Sequence, residues 1–332
     1  MRNTGFIFLV MLLAVANIYC GSVNIPLSAV TDVLCGREVE RQSWHYIIWE
    51  NRIPQTLTAI FSGAGLAAAG LLLQTVFRNP LAGPSILGID GGANLGVALV
   101  VLLFGGTFAA GTFSLSGFVL VIVAAMLGAW AIMAILIAFS HFLRSNTMLL
   151  ITGVMISYLT SSLISLLNYG ATEEGVRSFM VWGLGSFSNV AVDRLPAFVA
   201  TMTVGLLLAL LLIKPLNALL LGDSYATNLG IDVRRTRTLL LFATGFLTAT
   251  STAFCGPIAF VGLAVPHIAR MLLRISDHRL LLPATMFTGA SLTLLCNLLS
   301  TLPSQSVIPI NVITPVLGAP VVIWVILKMK GA

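Results

Sequence analysis

Charged residues are scarce in this sequence of 332 residues: they make up 8% of it, against about 25% in an ordinary soluble domain. Hydrophobic residues make up 58%, which is more than a soluble fold can hide. Apolar stretches of about 20 residues, the length that crosses a bilayer as a helix, recur along the whole chain. The polar breaks between them are too short to form another domain. We therefore predict one membrane domain over residues 1–332.

The sequence also lacks the motifs of a chain that energises transport by itself. No glycine-rich phosphate loop ends in Gly-Lys-Ser or Gly-Lys-Thr, so we do not expect ATP, or any other cofactor, to bind this chain. Ion-coupled carriers need ionisable residues inside the membrane, whereas Asp90 and His267 fall near the ends of predicted spans. Uphill transport would then need energy from another subunit.

Cysteine and histidine are rare, with four residues of each. The cysteines, Cys20, Cys35, Cys255 and Cys296, lack the paired short spacings of a zinc or redox site. A disulfide between Cys20 and Cys35 stays open. The histidines, His45, His141, His267 and His278, fall in loops or at span ends, which argues against an intramembrane serine protease. For His267 we expect a structural or interfacial role, and we expect no metal site.

Hydrophobic stretches predict an all-α membrane protein with about ten transmembrane helices. They lie near residues 6–20, 56–77, 92–106, 116–139, 147–168, 195–213, 238–254, 257–269, 280–299 and 308–327. The eighth stretch is too short to cross a bilayer of about 30 Å as a straight helix. We expect it to be broken or partly re-entrant.

Lys and Arg residues orient the chain, because cytoplasmic loops retain them in excess. With both termini inside, twelve of the 17 lie in the cytoplasm. The other five, placed outside, are Arg37, Arg41, Arg52, Arg177 and Arg194. The basic residues flank hydrophobic stretches and form no single run or face, so we expect contact with membrane lipid and none with nucleic acid. The cluster Arg234, Arg235 and Arg237 is interpreted as a topology anchor.

Three polar segments are unusual for plain membrane anchors. Residues 78–88 and 256–267 are rich in Pro and Gly, which break helices. Backbone freed in this way must be buried in protein or line an aqueous cavity, although a tight interfacial turn is the alternative. Residues 214–237 form the longest polar break of the second half. A short helix there, ended by Gly230, could contact a partner protein; an ordinary loop is the alternative.

These segments resemble the permease subunits of bacterial ATP-binding-cassette (ABC) importers for iron-siderophores, haem and cobalamin. The matching residues are Arg-Asn-Pro-Leu-Ala at 78–82, Leu-Gly, Ala and Leu-Gly within 221–230, Phe-Val-Gly-Leu-Ala-Val-Pro-His at 260–267 and Gly-Ala-Pro at 318–320. The resemblance covers nearly the whole chain. It implies the type II ABC importer permease fold with ten helices, N-in and C-in, in the bacterial inner membrane.

The resemblance also implies partners and cargo. We expect a second permease subunit, giving a homodimer or a pair of related permeases. We also expect two cytoplasmic ATPase subunits that use ATP and Mg, and an external substrate-binding protein. The expected cargo is an iron chelate, either a siderophore or haem. Cobalamin carried by the same machine is the alternative, followed by an ion-coupled secondary transporter.

Site residues follow from the resemblance motif by motif. The coupling segment, expected to contact the ATPase, contains Leu221, Gly222, Ala226, Leu229 and Gly230. The cytoplasmic gate is expected at the gate loop, Asn79, Pro80 and Leu81, and at Asn146 and Thr147. Arg52 matches an arginine that docks the binding protein, whereas Gln55 and Thr301 stand where some relatives carry further arginines.

A serine stripe remains outside the resemblance. Ser157, Ser161 and Ser165 recur at i, i+4 spacing and therefore share one helical face. They are candidates for lining the pathway. Serine hydroxyls also bond to their own helix and permit close packing, which is the alternative.

Overall fold

A computed structural model describes residues 4–103, 115–143, 145–302 and 307–330. Within these residues all regular structure is helical. The N-terminal half contains α1 (Thr4–Tyr19), α2 (Leu27–Leu34), α3 (Gln42–Tyr46), α4 (Ile53–Phe77), α5 (Ile89–Leu103), α6 (Leu115–Phe142) and α7 (Asn146–Gly170). One π-helical segment, Ile47–Arg52, joins α3 to α4 without a break.

The C-terminal half is helical in the same way. It contains α8 (Glu173–Gly183), a short 3-10 turn (Phe187–Asn189), α9 (Leu195–Leu211), α10 (Ile213–Leu220), α11 (Asp223–Asn228), α12 (Val233–Cys255), α13 (Val261–Leu273), α14 (His278–Thr301) and α15 (Ile310–Lys330). The all-helical fold predicted from hydropathy is therefore confirmed.

All ten predicted spans overlap an apolar helix. Five helices, or helical stretches, in the described residues are long and apolar enough to cross a membrane. A sixth crossing is possible if α9 and α10, which are bent by 46° at Leu212, act together. The shorter apolar helices α1, α5, α13 and α15 coincide with the remaining four spans. The count of ten crossings and the orientation stay predictions.

Several short helices were not predicted individually. The segment before α4 contains α2 and α3, and α8 follows the predicted fifth span. Thr172 is the N-cap of α8, and its hydroxyl accepts a hydrogen bond from the Gly175 N–H at 3.2 Å. The eighth predicted stretch begins too early, because residues 256–260 are not helical and α13 starts at Val261.

Helix α4 is the centre of the bundle and packs against α9, α12, α13 and α14. Glycines allow two of these contacts to be backbone-close. A Cβ at Gly63 would collide with the backbone of Gly289 on α14, and a Cβ at Gly70 would collide with Gly262 on α13. Small residues at helix interfaces permit this approach in membrane proteins, where packing replaces the hydrophobic effect between helices.

A buried amide network joins α1, α4 and α14. The Asn297 amide donates to Asn17 Oδ1 at 2.8 Å, and Gln55 donates to Asn297 Oδ1 at 2.9 Å. Asn17 donates in turn to the Leu294 carbonyl at 3.0 Å. Polar side chains buried in this way need such partners, because an unpaired amide in an apolar interior costs about 1–3 kcal/mol. The network fixes α1 against the core.

Candidate coupling site and cytoplasmic gate

The coupling segment folds as a short helix held between two glycine turns. Gly222 has a φ of 114° and Gly230 a φ of 80°, a region that L-residues other than glycine rarely adopt. The Gly230 N–H donates to the Thr227 carbonyl at 2.9 Å and the Ile231 N–H to the Ala226 carbonyl at 3.0 Å. This pair of bonds is the Schellman arrangement that ends a helix at glycine. The predicted short helix is therefore present as α11.

The coupling segment has one buried side and one exposed side with large apolar residues. Ala226 is fully buried. Leu221, Tyr225 and Leu229 are 64%, 50% and 58% exposed. Large apolar side chains grouped on a small, mostly polar segment are typical of a contact surface for another protein. We call this group the coupling knob.

The gate loop begins where α4 ends. Arg78, the last residue before the loop, has a left-handed φ of 46°. The Asn79 side-chain oxygen accepts a hydrogen bond from the Leu81 N–H at 2.9 Å, the turn that Asn favours in loops. His267 Nε2–H donates to the Pro80 carbonyl at 2.7 Å. The loop is thus held on one side by α13.

Further side-chain bonds tie α13 to the end of α4. Arg270 donates to the Gln74 side-chain oxygen at 2.6 Å, and the Gln74 amide donates to the Leu263 carbonyl at 3.1 Å. His267 lies inside α13 and is buried. The structure therefore gives it a structural contact with the gate loop, in line with the role expected from the sequence.

The coupling segment reaches the gate loop through charged side chains. Arg78 Nη2 lies 2.7 Å from Asp223 Oδ1, and Arg237 Nη2 lies 3.4 Å from Asp223 Oδ2. Arg78 also donates to the Leu219 carbonyl at 3.4 Å. The coupling knob and the gate loop are therefore in one connected unit.

Helix α10 is tied to α14 by Asn217. The Asn217 side-chain oxygen accepts from the His278 N–H at 2.9 Å and from His278 Nδ1–H at 2.8 Å, while its amide donates to Asp277 at 2.6 Å. The Arg279 backbone N–H and this amide hold the pKa of Asp277 below its usual range. Because α10 leads directly into the coupling segment, α14 is joined to the same unit.

Known proteins resemble this chain over almost its whole length. A sequence profile of the FecCD transport family matches residues 9–328. The chain belongs to the FecCD transport family. It is therefore a permease subunit of an ABC importer and a multi-pass protein of the bacterial inner membrane. In such systems the ATPase is a separate subunit.

Individual relatives agree with this assignment. The vitamin B12 import system permease protein BtuC of Klebsiella pneumoniae subsp. pneumoniae is 40% identical over 285 residues, 86% of this chain and 83% of that protein. The protein of the same name from Salmonella typhi is 38% identical over 282 residues, 85% of this chain and 83% of its own length.

Solved structures share the fold. One, described as an inward-facing conformation of a metal-chelate type ABC transporter, superimposes with a TM-score of 0.83 at 32% identity over 98% of both chains. PsaBC from Streptococcus pneumoniae in complex with Fab gives a TM-score of 0.53 at 18% identity, over 89% of this chain and 94% of that one. The second similarity is one of fold alone. The FecCD permease therefore has the expected type II importer fold.

Arg52 of the FecCD permease is not on the open surface. The residue is buried, 5% exposed, and its guanidinium donates to the carbonyls of Ile18 at 2.9 Å, Tyr19 at 2.9 Å and Val23 at 2.5 Å. A cation near the last carbonyls of a helix is favourable, so Arg52 fixes the end of α1. This geometry speaks against direct contact with an external protein in this conformation. The docking role stays a prediction.

Gln55 and Thr301, the two positions where some relatives carry arginine, also lie in the interior. Gln55 belongs to the buried amide network, and the Thr301 hydroxyl donates to the Asn297 carbonyl at 3.1 Å. Both residues are buried. Their side chains stabilise the packing of α4 and α14 and add no charge at this end of the bundle.

The second gate candidate lies at the start of α7. Asn146 is the first residue of this helix, and Thr147 beside it is exposed. Their gating role stays a prediction.

The serine stripe is split between two environments. Ser157 donates to the Gly153 carbonyl at 3.0 Å and Ser165 to the Ser161 carbonyl at 3.0 Å, the back-bonding expected under the packing interpretation. Ser161 and Ser165 are nevertheless exposed in the single chain. A role in lining the pathway stays a prediction.

Asp90 lies in the first turn of α5, near a helix end as the sequence predicts. It is buried, and its carboxylate accepts hydrogen bonds from Ser85 at 2.7 Å and from Thr252 at 2.9 Å. It borders a cavity of about 180 Å³ that Pro84 and Phe260 also line. The two Pro- and Gly-rich segments, residues 78–88 and 256–267, meet at this cavity. This burial is what we expect of backbone that has left a helix inside a membrane protein.

Sequence reasoning missed Asp223, Asn217 and Arg78 as site residues. Asp223 follows Leu221-Gly222 directly, and Arg78 precedes the gate loop. Their proximity to recognised motifs was the available signal. Nothing in the sequence indicated that Arg78 and Asp223 form a pair across the fold.

Proposed function

We propose that this permease forms the pathway for cobalamin, delivered by an external binding protein and driven by separate ATPase subunits. The observation that carries the choice of cargo is the identity of 40% to a permease named for vitamin B12 import. The sequence by itself favoured an iron chelate, with cobalamin as the alternative. Because the named relatives are B12 permeases, cobalamin is at least as well supported, and we reverse that order.

An iron chelate, siderophore or haem, is the second candidate. The observation in its favour is the solved structure at 32% identity, which is described as being of the metal-chelate type. Cobalamin is itself a large metal chelate, so the two candidates need a pathway of similar character.

The assembly that we propose has two copies of this permease, two ATPase subunits using ATP and Mg, and one external binding protein. One chain leaves Ser161 and Ser165 exposed on α7. In a dimer with a single pathway between the copies, these hydroxyls would face that pathway. This arrangement rests on the family resemblance described above.

For energy transfer, we propose that the ATPase holds the coupling knob. Leu221, Tyr225 and Leu229 lose contact with water when a partner covers them, and burial of such side chains stabilises an interface. Movement of the ATPase subunits then moves α11. The two glycine turns keep α11 in the orientation that exposes the knob.

The cargo is tested in proteoliposomes that contain the permease, its ATPase and its binding protein. Radiolabelled cyanocobalamin, an iron-loaded siderophore and haemin are offered separately, with an ATPase variant lacking the phosphate-loop lysine as control. ATP-dependent uptake of cyanocobalamin alone supports the proposal. Uptake of an iron chelate in its place contradicts the cargo, and uptake that persists with the ATPase variant contradicts the energy source.

The coupling role is tested by substitutions at Gly230. Gly230 has a left-handed φ of 80°, and a Cβ at this position meets no atom of this chain within 4 Å, so Gly230→Val strains the backbone without a clash of its Cβ. We expect Gly230→Val to uncouple ATP hydrolysis from uptake, and Gly230→Asn to retain coupling, since Asn tolerates this conformation. Gly222→Val should act as Gly230→Val does.

The matched control is Gly170→Val, a glycine at the end of α7 where a Cβ also meets nothing. It should leave coupling unchanged. Wild-type coupling in both Gly222→Val and Gly230→Val would contradict the role of the segment.

A further inference from the structure

Asp223 bridges two elements that are far apart in the sequence. One carboxylate oxygen lies 2.7 Å from Arg78 Nη2 and the other lies 3.4 Å from Arg237 Nη2. Arg78 follows α4 directly as its C-cap and precedes the gate loop, whereas Arg237 lies in α12. Asp223 itself is the first residue of α11. The Asp223 carboxylate therefore contacts both the end of α4, through Arg78, and α12, through Arg237.

We propose that Asp223 is a positioning residue that transmits displacement of the coupling segment to the gate loop through Arg78. This inference rests on the proposed function, in which the ATPase moves α11. It adds a specific connection: the ion pair between Asp223 and Arg78 carries the movement across the gap between α11 and the end of α4.

The position of Arg78 makes it suitable for this connection. Its side chain donates both to Asp223 and to the Leu219 carbonyl, and therefore holds the turn that precedes α11 from both sides. Its backbone continues directly into Asn79, the first residue of the gate loop. Displacement of the Arg78 side chain therefore displaces the gate loop with no intervening residue.

The far side of the gate loop has an anchor of its own. His267 on α13 donates to the Pro80 carbonyl at 2.7 Å. The loop therefore lies between an anchor on α13 and a link to α11. When α11 moves relative to α13, the loop between them must change shape.

The two ion pairs of Asp223 differ in how far their arginine partners are exposed. Arg78 and Asp223 are 48% and 46% exposed, whereas Arg237 is only 15% exposed. Half-exposed ion pairs contribute little to stability and are weakened by salt. The pair between Asp223 and Arg78 can therefore break and re-form during a transport cycle, while Arg237 retains the carboxylate near α12.

An ordinary surface ion pair is the alternative, and the coupling ratio distinguishes the two. The experiment uses the complete complex with ATPase and binding protein in proteoliposomes, and measures uptake per ATP hydrolysed. For Asp223→Asn we expect this ratio to fall about fivefold or more, the lower end of coupling between linked sites. The ATPase should still copurify with this variant, and loss of the ATPase from the complex would contradict the inference.

The matched control is Asp232→Asn. Asp232 is an exposed carboxylate at the start of α12 that accepts from the Arg235 N–H at 2.9 Å, and Asn retains such a cap. This variant removes one negative charge from the same surface and should keep the wild-type ratio. Asp223→Glu, which keeps the charge, should recover most of the ratio.

A double-mutant cycle tests whether Asp223 acts through Arg78. If it does, Arg78→Gln combined with Asp223→Asn lowers the ratio no further than either change alone. The ratio of the wild type should also fall with added salt, and that of Asp223→Asn should not. If Asp223→Asn fails to reach the membrane, Arg78→Gln and its salt dependence decide the question.

The inference is overturned by a wild-type ratio in Asp223→Asn or in Arg78→Gln, or by additive effects in the double variant. Failure of the proposed function has a different signature, because the wild-type complex itself would then show no ATP-dependent uptake or would not retain the ATPase.

Discussion

The contact between α4 and α13 allows a quantitative prediction for Gly70→Ala. A Cβ at Gly70 would lie 2.7 Å from the Cα of Gly262 and closer still to its carbonyl oxygen, whereas real Cβ atoms essentially never come within 3.0 Å. The atoms in the way are backbone atoms, so no side-chain rotation relieves the collision. The two helices must separate, and overpacking of this kind costs about 1–3 kcal/mol.

The separation also acts on the gate. His267 and Leu263 on α13 bond to Pro80 and Gln74 at 2.7 and 3.1 Å, and these bonds lengthen when α13 moves away from α4. We therefore expect Gly70→Ala to lower both thermal stability and transport. Thermal unfolding of the purified protein in detergent measures the first effect. With an unfolding entropy of about 2.1 cal/mol/K per residue, each kcal/mol shifts the Tm of a chain of 332 residues by about 1.4 °C. A decrease of about 1–4 °C is therefore expected.

Gly170→Ala is the control, since a Cβ there meets nothing within 4 Å. Alanine is about 1 kcal/mol better than glycine within a helix, so this variant should be neutral or slightly stabilising. A Gly70→Ala protein as stable as the wild type would refute the reasoning, because it would mean that α4 and α13 are not backbone-close.

Two predictions concern the two ends of the bundle, near Arg52 and near Asp277. Arg52→Glu should lower Tm by removing the donors to the α1 carbonyls, each charged bond contributing about 1.5–3 kcal/mol; exposed Arg41→Glu is the control. If the binding protein then binds Arg52→Glu with normal affinity in a pull-down, the predicted docking role is wrong. At the end of the bundle that contains Asp277, the lowered pKa of this residue means that its stabilising contribution is present above the pKa of the unfolded chain. That contribution is lost as pH falls through the folded pKa. Thermal unfolding between about pH 5 and pH 3 should show a smaller decrease in Tm for Asp277→Asn than for the wild type, and equal decreases would contradict this assignment.

Local patterns were sufficient for the helices because hydropathy is a property of contiguous residues. All ten predicted spans correspond to apolar helices. The glycines at 222 and 230 indicated the limits of a short helix, since only local backbone conformation is involved. The motif at 78–82 marked the gate loop for the same reason.

Hydropathy did not predict the short helices that lie within the polar segments between spans. Helices α10 and α11 lie in a stretch whose average polarity suggests a loop. Their stability comes from packing and capping, such as the burial of Ala226 and the Asn217 bonds to His278. Tertiary contacts of this kind outweigh local averages.

The amino-acid sequence by itself determined the membrane class, the approximate helices and the family, because these depend on composition and on short motifs. Only the tertiary structure decided that Arg52 is buried against α1, that Asp90 meets Thr252 and that Arg78 meets Asp223. The last two pairs are 162 and 145 residues apart. A charge in the sequence has the same appearance whether it faces water or a partner across the fold, and only packing of the helices chooses between them.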